Sequence, residues 1–240
     1  MVTMTGAAPD KAPDRIASMF DAIAPRYDLL NHLLSAGIDR RWRKRAIASL
    51  GLTGRETLID LCTGTADVAL EARQAARVLG VDFAGAMLRL GLEKVRATRQ
   101  DRRIMLVQGD ATSIPAPSAC ADAATVAFGI RNVQRPEIAC REMARVLRQG
   151  GRLAILEFGV PRIPGISALY LWYFKRVLPL VGRLISGHGG AYTYLPASVG
   201  TFTPPEEFVT LLRQSGFTDI QTVPLTFGIV YLYIASRSGS

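Results

Sequence analysis

Histidine and cysteine are scarce in this chain of 240 residues, which contains two histidines and three cysteines. The cysteines form no CxxC pair and no framework of the kind that stabilises small secreted proteins, so we expect a reducing compartment. The histidines, His32 and His188, are too few and too scattered to build a metal site with the cysteines. The sequence therefore predicts no bound metal.

An uninterrupted apolar run of about 20 residues, the length that spans a bilayer, is also absent. The most apolar stretch covers 166–185, ISALYLWYFKRVLPLVGRLI, and charged residues and Pro179 interrupt it. We interpret it as part of an insertion that packs on the domain or touches a membrane surface, with a plain core helix as the alternative.

The first residues, MVTMTGAAPDKAPD, lack the apolar stretch of a signal peptide. We predict a disordered tail over 1–14 and a single domain over 15–240, located in the cytoplasm.

Acidic residues are outnumbered by basic ones, 20 to 29, which gives a formal net charge of +9. Such a balance suits nucleic acid, an anionic membrane surface or an anionic substrate. The charge is concentrated over 40–45, RRWRKR, which is either a binding patch or a solvated helix face with Trp42 packed inward. No RNA-binding module or aromatic platform stands out, so we expect no nucleic-acid partner.

Short apolar strands and helices alternate through the middle of the chain. The five predicted strands of this part are TLIDL, RVLGVDF, IMLVQGD, AATVAFG and RLAILEF. Two more are predicted at 218–224 and 228–236, the second of them pairing in the antiparallel sense. The sequence thus predicts an α/β, Rossmann-like fold with a seven-stranded, mostly parallel sheet and helices on both faces. A ligand is expected at the carboxyl ends of the strands.

Helical segments surround this pattern. The N-terminal helices, 15–50, are predicted to break at Pro25 and to stop at Gly51, and we expect them to form a lid over a cofactor. A turn at 150–151 is predicted to lead into the fifth strand. A helical insertion is predicted over 162–200, after that strand.

The loop after the first strand, within LIDLCTGTADVAL, contains a single glycine, Gly64. Dinucleotide loops follow the pattern GxGxxG, and here Cys62 and Ala66 stand where glycines would alternate with Gly64. Asp67, in the first turn of the next helix, would repel a pyrophosphate. Ala66 is tolerable in this position if its backbone is already helical. The loop therefore disfavours NAD and favours S-adenosylmethionine, a cofactor that is not polyanionic.

Three predicted strands end on an acidic residue. Asp60 is placed to attract the ammonium of the cofactor, Asp82 to accept hydrogen bonds from a ribose, and Asp110 to bind adenine. Each alone is equally typical of a helix cap, but three in register across a parallel sheet favour a binding site. The cofactor-binding residues predicted from this pattern are Asp60, Gly64, Thr65, Asp82, Phe83, Asp110 and Ala111.

The order LIDLCTGTAD, LGVDFAGAML, QGDA, VAFGIRNV and EMARVLRQGGRLAILEF resembles the class I S-adenosylmethionine-dependent methyltransferases. Four stretches make the chain similar, more narrowly, to the ubiquinone/menaquinone biosynthesis C-methyltransferase family. They are MFDAIAPRYDLLNHLLSAGIDRRWR, FGIRNV, LEFGVP and AYTYLPASVGTF. The resemblance runs from about residue 15 to the C-terminus.

This resemblance implies methylation of a ring carbon of a polyprenylated quinol, in the first place demethylmenaquinol to menaquinol. The equivalent benzoquinol step, another small phenol, a sterol or RNA, and a non-catalytic cofactor-binding module are the alternatives. Because a polyprenyl tail lies in the bilayer, we expect a peripheral protein with transient contact to an anionic membrane surface. The oligomeric state stays open, a homodimer included.

Arg131 and Asn132, which follow the fourth strand, are the predicted catalytic residues. Arg131 would stabilise the developing quinolate, directly or through a water, and Asn132 would orient a ring oxygen. A salt bridge from Arg131 to Glu157 is the structural alternative. Ala127 is placed beside the cofactor by the resemblance, although some relatives carry a small hydroxylated residue there. The predicted quinol-pocket residues are Tyr27, Asn31, Tyr192 and Tyr194, with core tyrosines as the alternative.

Overall fold

The computed structural model describes residues 11–35, 37–163, 165–173, 176, 194 and 197–239. The strands of this part are β1 Thr57–Leu61, β2 Arg77–Asp82, β3 Ile104–Gln108, β4 Ala121–Ala127, β5 Leu147–Phe158, β6 Phe217–Leu225 and β7 Val230–Arg237. The helices are α1 Pro13–Leu34, α2 Asp39–Ser49, α3 Asp67–Glu71, α4 Gly85–Ala97, α5 Pro136–Val146, α6 Ile166–Trp172 and α7 Pro205–Gln214.

The sheet has the strand order β3-β2-β1-β4-β5-β7-β6. The first five strands pair in parallel, whereas β7 runs antiparallel to both β5 and β6. The predicted fold class, including the antiparallel last strand, is confirmed. Because the parallel strands share one direction, the loops after β1, β2, β3 and β4 meet at one edge of the sheet.

Apolar side chains fill both faces of the sheet. One cluster joins the sheet to α5 and α7 and includes Met143, Leu153 and Phe208. The other joins the opposite face to α2, α3 and α4 and includes Leu50 and Val95. Full burial of a side chain of this size contributes about 1.5–3 kcal/mol, so the two clusters hold the edge loops on a rigid base.

The predicted turn at 150–151 lies inside β5 rather than before it. Pairing with β4 shifts between Ala121, opposite Leu147, and Ala123, opposite Arg152. Gly150 has a φ of 70°, which only glycine adopts without strain. The turn is therefore an irregularity within a longer strand, since strand pairing resumes on both sides of it.

Helix α1 differs from its prediction at its start and at Pro25. It begins at Pro13, inside the segment predicted as a disordered tail, whereas residues 1–10 lie outside the described part. It also continues past Pro25, so the predicted break is wrong. A proline removes one hydrogen bond, and the neighbouring turns can maintain the helix.

The first half of α1 lies against the start of α4. Ala24 packs with Ala84 and Met87, and the Ala86 amide donates to Asp21 Oδ1 at 2.8 Å. This places α1 beside the edge where the parallel strands end. The lid function of the helix stays a prediction.

The insertion after β5 is described only in part. Tyr170 of α6 and Val199 pack on Phe158 and Ile229 at the same edge of the sheet. Within the described ranges, no helix is both long and apolar enough to cross a membrane.

Candidate active site

A cavity opens at the carboxyl ends of β1, β2, β3 and β4, and the beginning of α1 contributes residues to its wall. Its walls come from the loops after these strands, from α4 and from the N-terminal residues. The lining residues are Lys11, Ile16, Phe20, Cys62, Gly64, Asp82, Phe83, Met87, Asp110, Ala111, Thr112, Ala127, Phe128, Gly129, Asn132, Val133, Gln134 and Arg135.

Most of the predicted cofactor residues share this cavity. Gly64, Asp82, Phe83, Asp110, Ala111 and Ala127 line it, whereas Asp60 and Thr65 do not. The Thr65 hydroxyl instead accepts a hydrogen bond from Lys94 Nζ at 2.9 Å. Because Thr65 is buried, its side chain supports the loop from behind.

Sequence reasoning missed several cavity residues. Thr112 and residues 133–135 simply continue predicted strand-end loops, so extending those loops by a few positions would have found them. Met87 lies one turn into α4, and Lys11, Ile16 and Phe20 come from α1 and the residues before it. Ile16 and Phe20 belong to the segment predicted as a lid over the cofactor, whereas no local signal placed Lys11 or Met87 at the strand ends, because tertiary packing brings them there.

The loop after β1 has a strained backbone. Gly64 has a φ of 55°, and the two non-glycine residues beside it, Cys62 and Ala66, have φ of 53° and 65°. The condition given for tolerating Ala66, a helical backbone, is therefore not met, since Ala66 is left-handed. A left-handed backbone costs a residue with a Cβ about 1–2 kcal/mol. Such strain is typical of functional sites, where surrounding packing maintains it.

Asp82 joins the loop after β1 to the start of α4. Its Oδ2 accepts from the Gly64 amide at 2.8 Å and its Oδ1 from the Ala84 amide at 2.9 Å. Burial raises the pKa of this carboxyl group, while these backbone hydrogen bonds act in the opposite direction. The carboxylate thus lies at the cavity wall in the position predicted for the ribose acid.

Asp60 lies beneath the same loop and is 1% exposed. Its Oδ2 accepts from the Thr63 hydroxyl at 2.5 Å, whereas its buried Oδ1 has no hydrogen-bond partner. Burial raises the pKa of this group to about 7, the Thr63 bond lowers it, and the nearby Asp82 raises it. Because Asp60 does not line the cavity, its carboxylate can act on a bound ligand only through its charge, which favours a cationic group over an anionic one.

Arg131 forms a buried ion pair with Glu157. This is the salt bridge that the sequence suggested as the alternative to a catalytic role. Arg131 Nη1 lies 2.6 Å from Glu157 Oε1, and the Arg131 amide donates to Glu157 Oε2 at 3.1 Å. Nη1 also donates to the Phe128 carbonyl at 2.6 Å. Arg131 is 6% exposed and does not line the cavity. Direct contact between its guanidinium and a ligand therefore stays a prediction.

Asn132 is the predicted catalytic residue that lines the cavity. Its Oδ1 accepts a hydrogen bond from the Tyr194 hydroxyl at 3.1 Å, so one predicted substrate residue is brought to it. Tyr192 and the side chains of Tyr27 and Asn31 lie outside the described residues.

The structure does not support the predicted repulsion between Asp67 and a pyrophosphate. Its carboxylate pairs with Lys94 Nζ at 2.7 Å and with Arg43 Nη2 at 3.3 Å. Because these two cations neutralise the Asp67 carboxylate, Asp67 would not repel a pyrophosphate. The single glycine of the loop remains the physical reason, because it limits how closely the backbone can approach a phosphate.

The basic residues 40–45 lie on α2, and their exposure agrees in part with the interpretation as a solvated helix face. Trp42 packs inward, 6.1 Å between ring centroids from Phe128, and its indole donates to Thr226 Oγ1 at 2.9 Å. Arg43 is buried, whereas Arg41 and its basic neighbours are exposed.

A mostly parallel sheet of this order, with acidic residues at the strand ends and a cavity around a one-glycine loop, is the arrangement expected of a class I S-adenosylmethionine-dependent methyltransferase, and the family match assigns the chain to that class. The chain belongs to the ubiE/COQ5 methyltransferase family, whose family model matches residues 8–237.

Two relatives match over nearly the whole chain. The ubiquinone/menaquinone biosynthesis C-methyltransferase UbiE of Syntrophotalea carbinolica is 48% identical over 223 residues, covering 92% of this chain and 93% of that protein. The demethylmenaquinone methyltransferase of Thermus thermophilus is 44% identical, covering 91% of this chain and 100% of that protein.

Solved structures agree on the fold. A methyltransferase from Thermotoga maritima, described as a possible histamine N-methyltransferase, has a TM-score of 0.65 at 17% identity, covering 92% of this chain and 99% of that one. The [4+2]-cyclase SpnF has a TM-score of 0.69 at 17% identity over 100% of both chains. At this identity the likeness shows the fold alone, since one fold carries different activities.

Proposed function

We propose that this protein transfers a methyl group from S-adenosylmethionine to a ring carbon of a polyprenylated quinol, converting demethylmenaquinol to menaquinol. The observation that carries the proposal is the 44% identity to the Thermus thermophilus demethylmenaquinone methyltransferase over its whole length. The name of the Syntrophotalea carbinolica relative covers both quinones, so the benzoquinol step is the second candidate.

The cavity residues support this assignment chemically. S-adenosylmethionine supplies a methyl group activated by a sulfonium. The chain would hold it through the backbone at Gly64, the Asp82 carboxylate at the ribose, and Asp110 with Ala111 at the adenine. Asp60 does not line the cavity, so its carboxylate would favour the ammonium of the methionyl part through its charge rather than by contact.

Asn132 is the group that would orient the acceptor. Its side chain lines the cavity, and the bond from Tyr194 fixes the direction of the Oδ1 atom. The Asn132 amide N–H is thereby directed to another partner, and a ring oxygen of the quinol would accept its hydrogen bond. Alignment of this kind accelerates a displacement because it removes the entropy cost of orienting the two reactants.

The assignment can be tested with labelled S-adenosylmethionine and three acceptors: demethylmenaquinol, its benzoquinol counterpart and RNA. We expect label in the quinone extract with demethylmenaquinol and none in the RNA. Preference for the benzoquinol would select the second candidate, and labelled RNA would contradict both.

The raised pKa of Asp60 predicts that the stability of the cofactor-free protein depends on pH. Its pKa is raised from 3.8 to about 7, so the folded protein retains a proton that the unfolded chain has already lost. The free energy of unfolding should therefore fall as the pH rises from about 4 to about 7. Asp60→Asn should remove this fall, because the neutral amide does not ionise, and should weaken cofactor binding.

Urea unfolding of both proteins at about pH 5 and about pH 8, with calorimetric titration of the cofactor, checks this. The same loss of stability in Asp60→Asn as in the wild type would show that another group is responsible.

We also propose transient contact with an anionic membrane, by a surface around the 226–229 loop. Phe227 is 65% exposed, and Ile163 and Trp172, also exposed, come from the neighbouring insertion. The Trp42–Thr226 hydrogen bond attaches this loop to α2, whose exposed basic side chains complement anionic lipid. Apolar side chains beside cations are typical of an interfacial surface.

Flotation with anionic liposomes at low salt tests the membrane surface. Phe227→Asn should lower the binding constant about tenfold, because it removes an aromatic side chain worth about 1.5–3 kcal/mol when buried. Asparagine tolerates the left-handed backbone of Phe227, whose φ is 59°. The control is Met105→Gln on β3, where the side chain is equally exposed at 65%. Equal flotation of the two variants would count against this surface.

A further inference from the structure

Carbon methylation requires a group that removes the hydroxyl proton of the quinol, whose pKa lies near the phenol value of about 10. The titratable side chains that line the described cavity are Lys11, Cys62, Asp82, Asp110 and Arg135. An arginine stays protonated and cannot serve. The pKa of the Cys62 thiol is raised well above its usual value, chiefly by burial, so it is not a neutral-pH thiolate.

The two aspartates are already engaged at the strand ends. Asp82 accepts two backbone hydrogen bonds, from Gly64 and Ala84. Asp110 Oδ1 accepts from the Thr112 amide at 2.7 Å. Both lie where the cofactor nucleoside is expected, so neither is free to face a quinol. Lys11 is the remaining group.

Lys11 is half-buried and lines the cavity just before α1. Burial is the main reason that the pKa of its amine is lowered, the cationic Arg131 lowers it further, and Glu157 acts in the opposite direction. A lowered pKa increases the fraction of the lysine that is a neutral amine, which is the form that accepts a proton.

We propose that the Lys11 amine is the general base that takes the hydroxyl proton of the quinol, an inference that rests on the proposed function. The part of the cavity that contains Asn132 would receive the ring, and the amine would contact its hydroxyl. Lys11 lies within residues 8–237, the part of the chain that the family model matches.

Methyl transfer begins with loss of the quinol hydroxyl proton. The quinol O–H bond breaks, its proton passes to Lys11 Nζ, and the oxygen electron pair moves into the ring. The ring carbon forms a bond to the methyl carbon as the methyl–sulfur bond breaks and its pair stays on sulfur. The ring C–H proton then leaves to solvent, its bonding pair restores the aromatic ring, and the Lys11 ammonium returns its proton to the oxygen.

The pH dependence of turnover tests this proposal with Lys11→Met, Lys11→Arg and Asp14→Asn. The last is a surface control from the first turn of α1, the helix that follows Lys11. Wild-type kcat/KM should rise with pH through a value below the ordinary lysine pKa of about 10.4. Both Lys11 variants should lose about 10²–10⁴-fold in kcat and lose this limb of the profile. Small primary amines should partly restore Lys11→Met.

Two measurements besides turnover accompany the test. Calorimetry should give the same S-adenosylmethionine Kd for wild type and Lys11→Met, within about twofold, because the amine acts on the acceptor. Competitive acetylation followed by mass spectrometry should show the Lys11 amine reacting at a pH below the ordinary lysine pKa of about 10.4.

Wild-type turnover with an unchanged profile in Lys11→Met would overturn the role of Lys11 alone. Full activity of Lys11→Arg would also overturn it, because a permanent cation cannot accept a proton. Absence of wild-type turnover with any quinol would overturn the proposed function and, with it, this inference.

Discussion

Glu157→Ala is expected to lower the free energy of unfolding by about 3–5 kcal/mol, the usual cost of leaving a buried charge without its partner. Glu157 is 1% exposed and accepts hydrogen bonds from the Arg131 guanidinium, the Arg131 amide and the Phe158 amide. Removing it leaves the Arg131 cation buried among apolar neighbours, with its centre 5.3 Å from the Phe158 ring. Denaturant unfolding measures the loss.

Glu206→Ala is the matched control for this variant. Glu206 also pairs with an arginine, Arg162, but its side chain is 66% exposed. Water and salt screen such a pair, so the loss of stability should be much smaller. Similar losses in both variants would mean that burial of Arg131 is not the source of the effect.

The double variant Arg131→Met/Glu157→Met separates the stability of the pair from its role in turnover. Replacing both charges with apolar side chains should restore much of the stability that Glu157→Ala loses, because no unpaired charge remains. If Arg131 stabilises the quinolate or positions a water for it, the double variant stays slow while binding S-adenosylmethionine normally. Near-normal turnover, in this variant or in Arg131→Ala, would exclude the predicted catalytic role.

Gly64→Val should lower the affinity for S-adenosylmethionine at least about 100-fold, equivalent to about 2.7 kcal/mol, while the domain stays folded. Two effects combine at this residue. A β-branched side chain is strained at a φ of 55°, and its Cβ would enter the cavity 3.6 Å from Met87 Cε. Calorimetric titration measures the affinity, and circular dichroism checks the fold.

Two other variants of the chain separate these effects. Gly54→Val introduces a side chain at a φ of 100°, with nothing within 4 Å of the new Cβ and at a position that does not line the cavity. It should cost stability and leave cofactor affinity unchanged. Ala66→Gly should change affinity little and relieve left-handed strain, because glycine adopts the 65° φ of Ala66 freely. Unaltered affinity in Gly64→Val would contradict the assignment of the loop.

Local patterns determined the fold class and the position of the cavity. Alternating apolar strands and amphipathic helices require a parallel sheet, and chain direction then brings the strand ends together. This is why Asp82, Asp110 and Gly64 could be placed at the cavity before the structure was known. The family resemblance, carried by continuous stretches such as FGIRNV, was likewise present in the sequence alone.

Only the tertiary structure decided where side chains turn at that edge. Asp60 near the end of β1 and Thr65 in the loop after it were both predicted to bind the cofactor, yet neither lines the cavity. Their side chains instead form hydrogen bonds with Thr63 and Lys94. Backbone strain at Ala66 is also a tertiary result, since packing holds a conformation that alanine disfavours.

The tertiary structure also decided which charged residues pair with each other. Asp67 and Arg131 were assigned roles from their positions next to the predicted site, but Lys94 and Glu157, 27 and 26 residues away in sequence, neutralise them. Lys11 is the opposite case: nothing in the local sequence indicates a functional role for it, yet folding brings it to the cavity. Sequence spacing determines which backbone segments meet, whereas burial and charge pairing across distant segments determine which side chains remain available for a ligand.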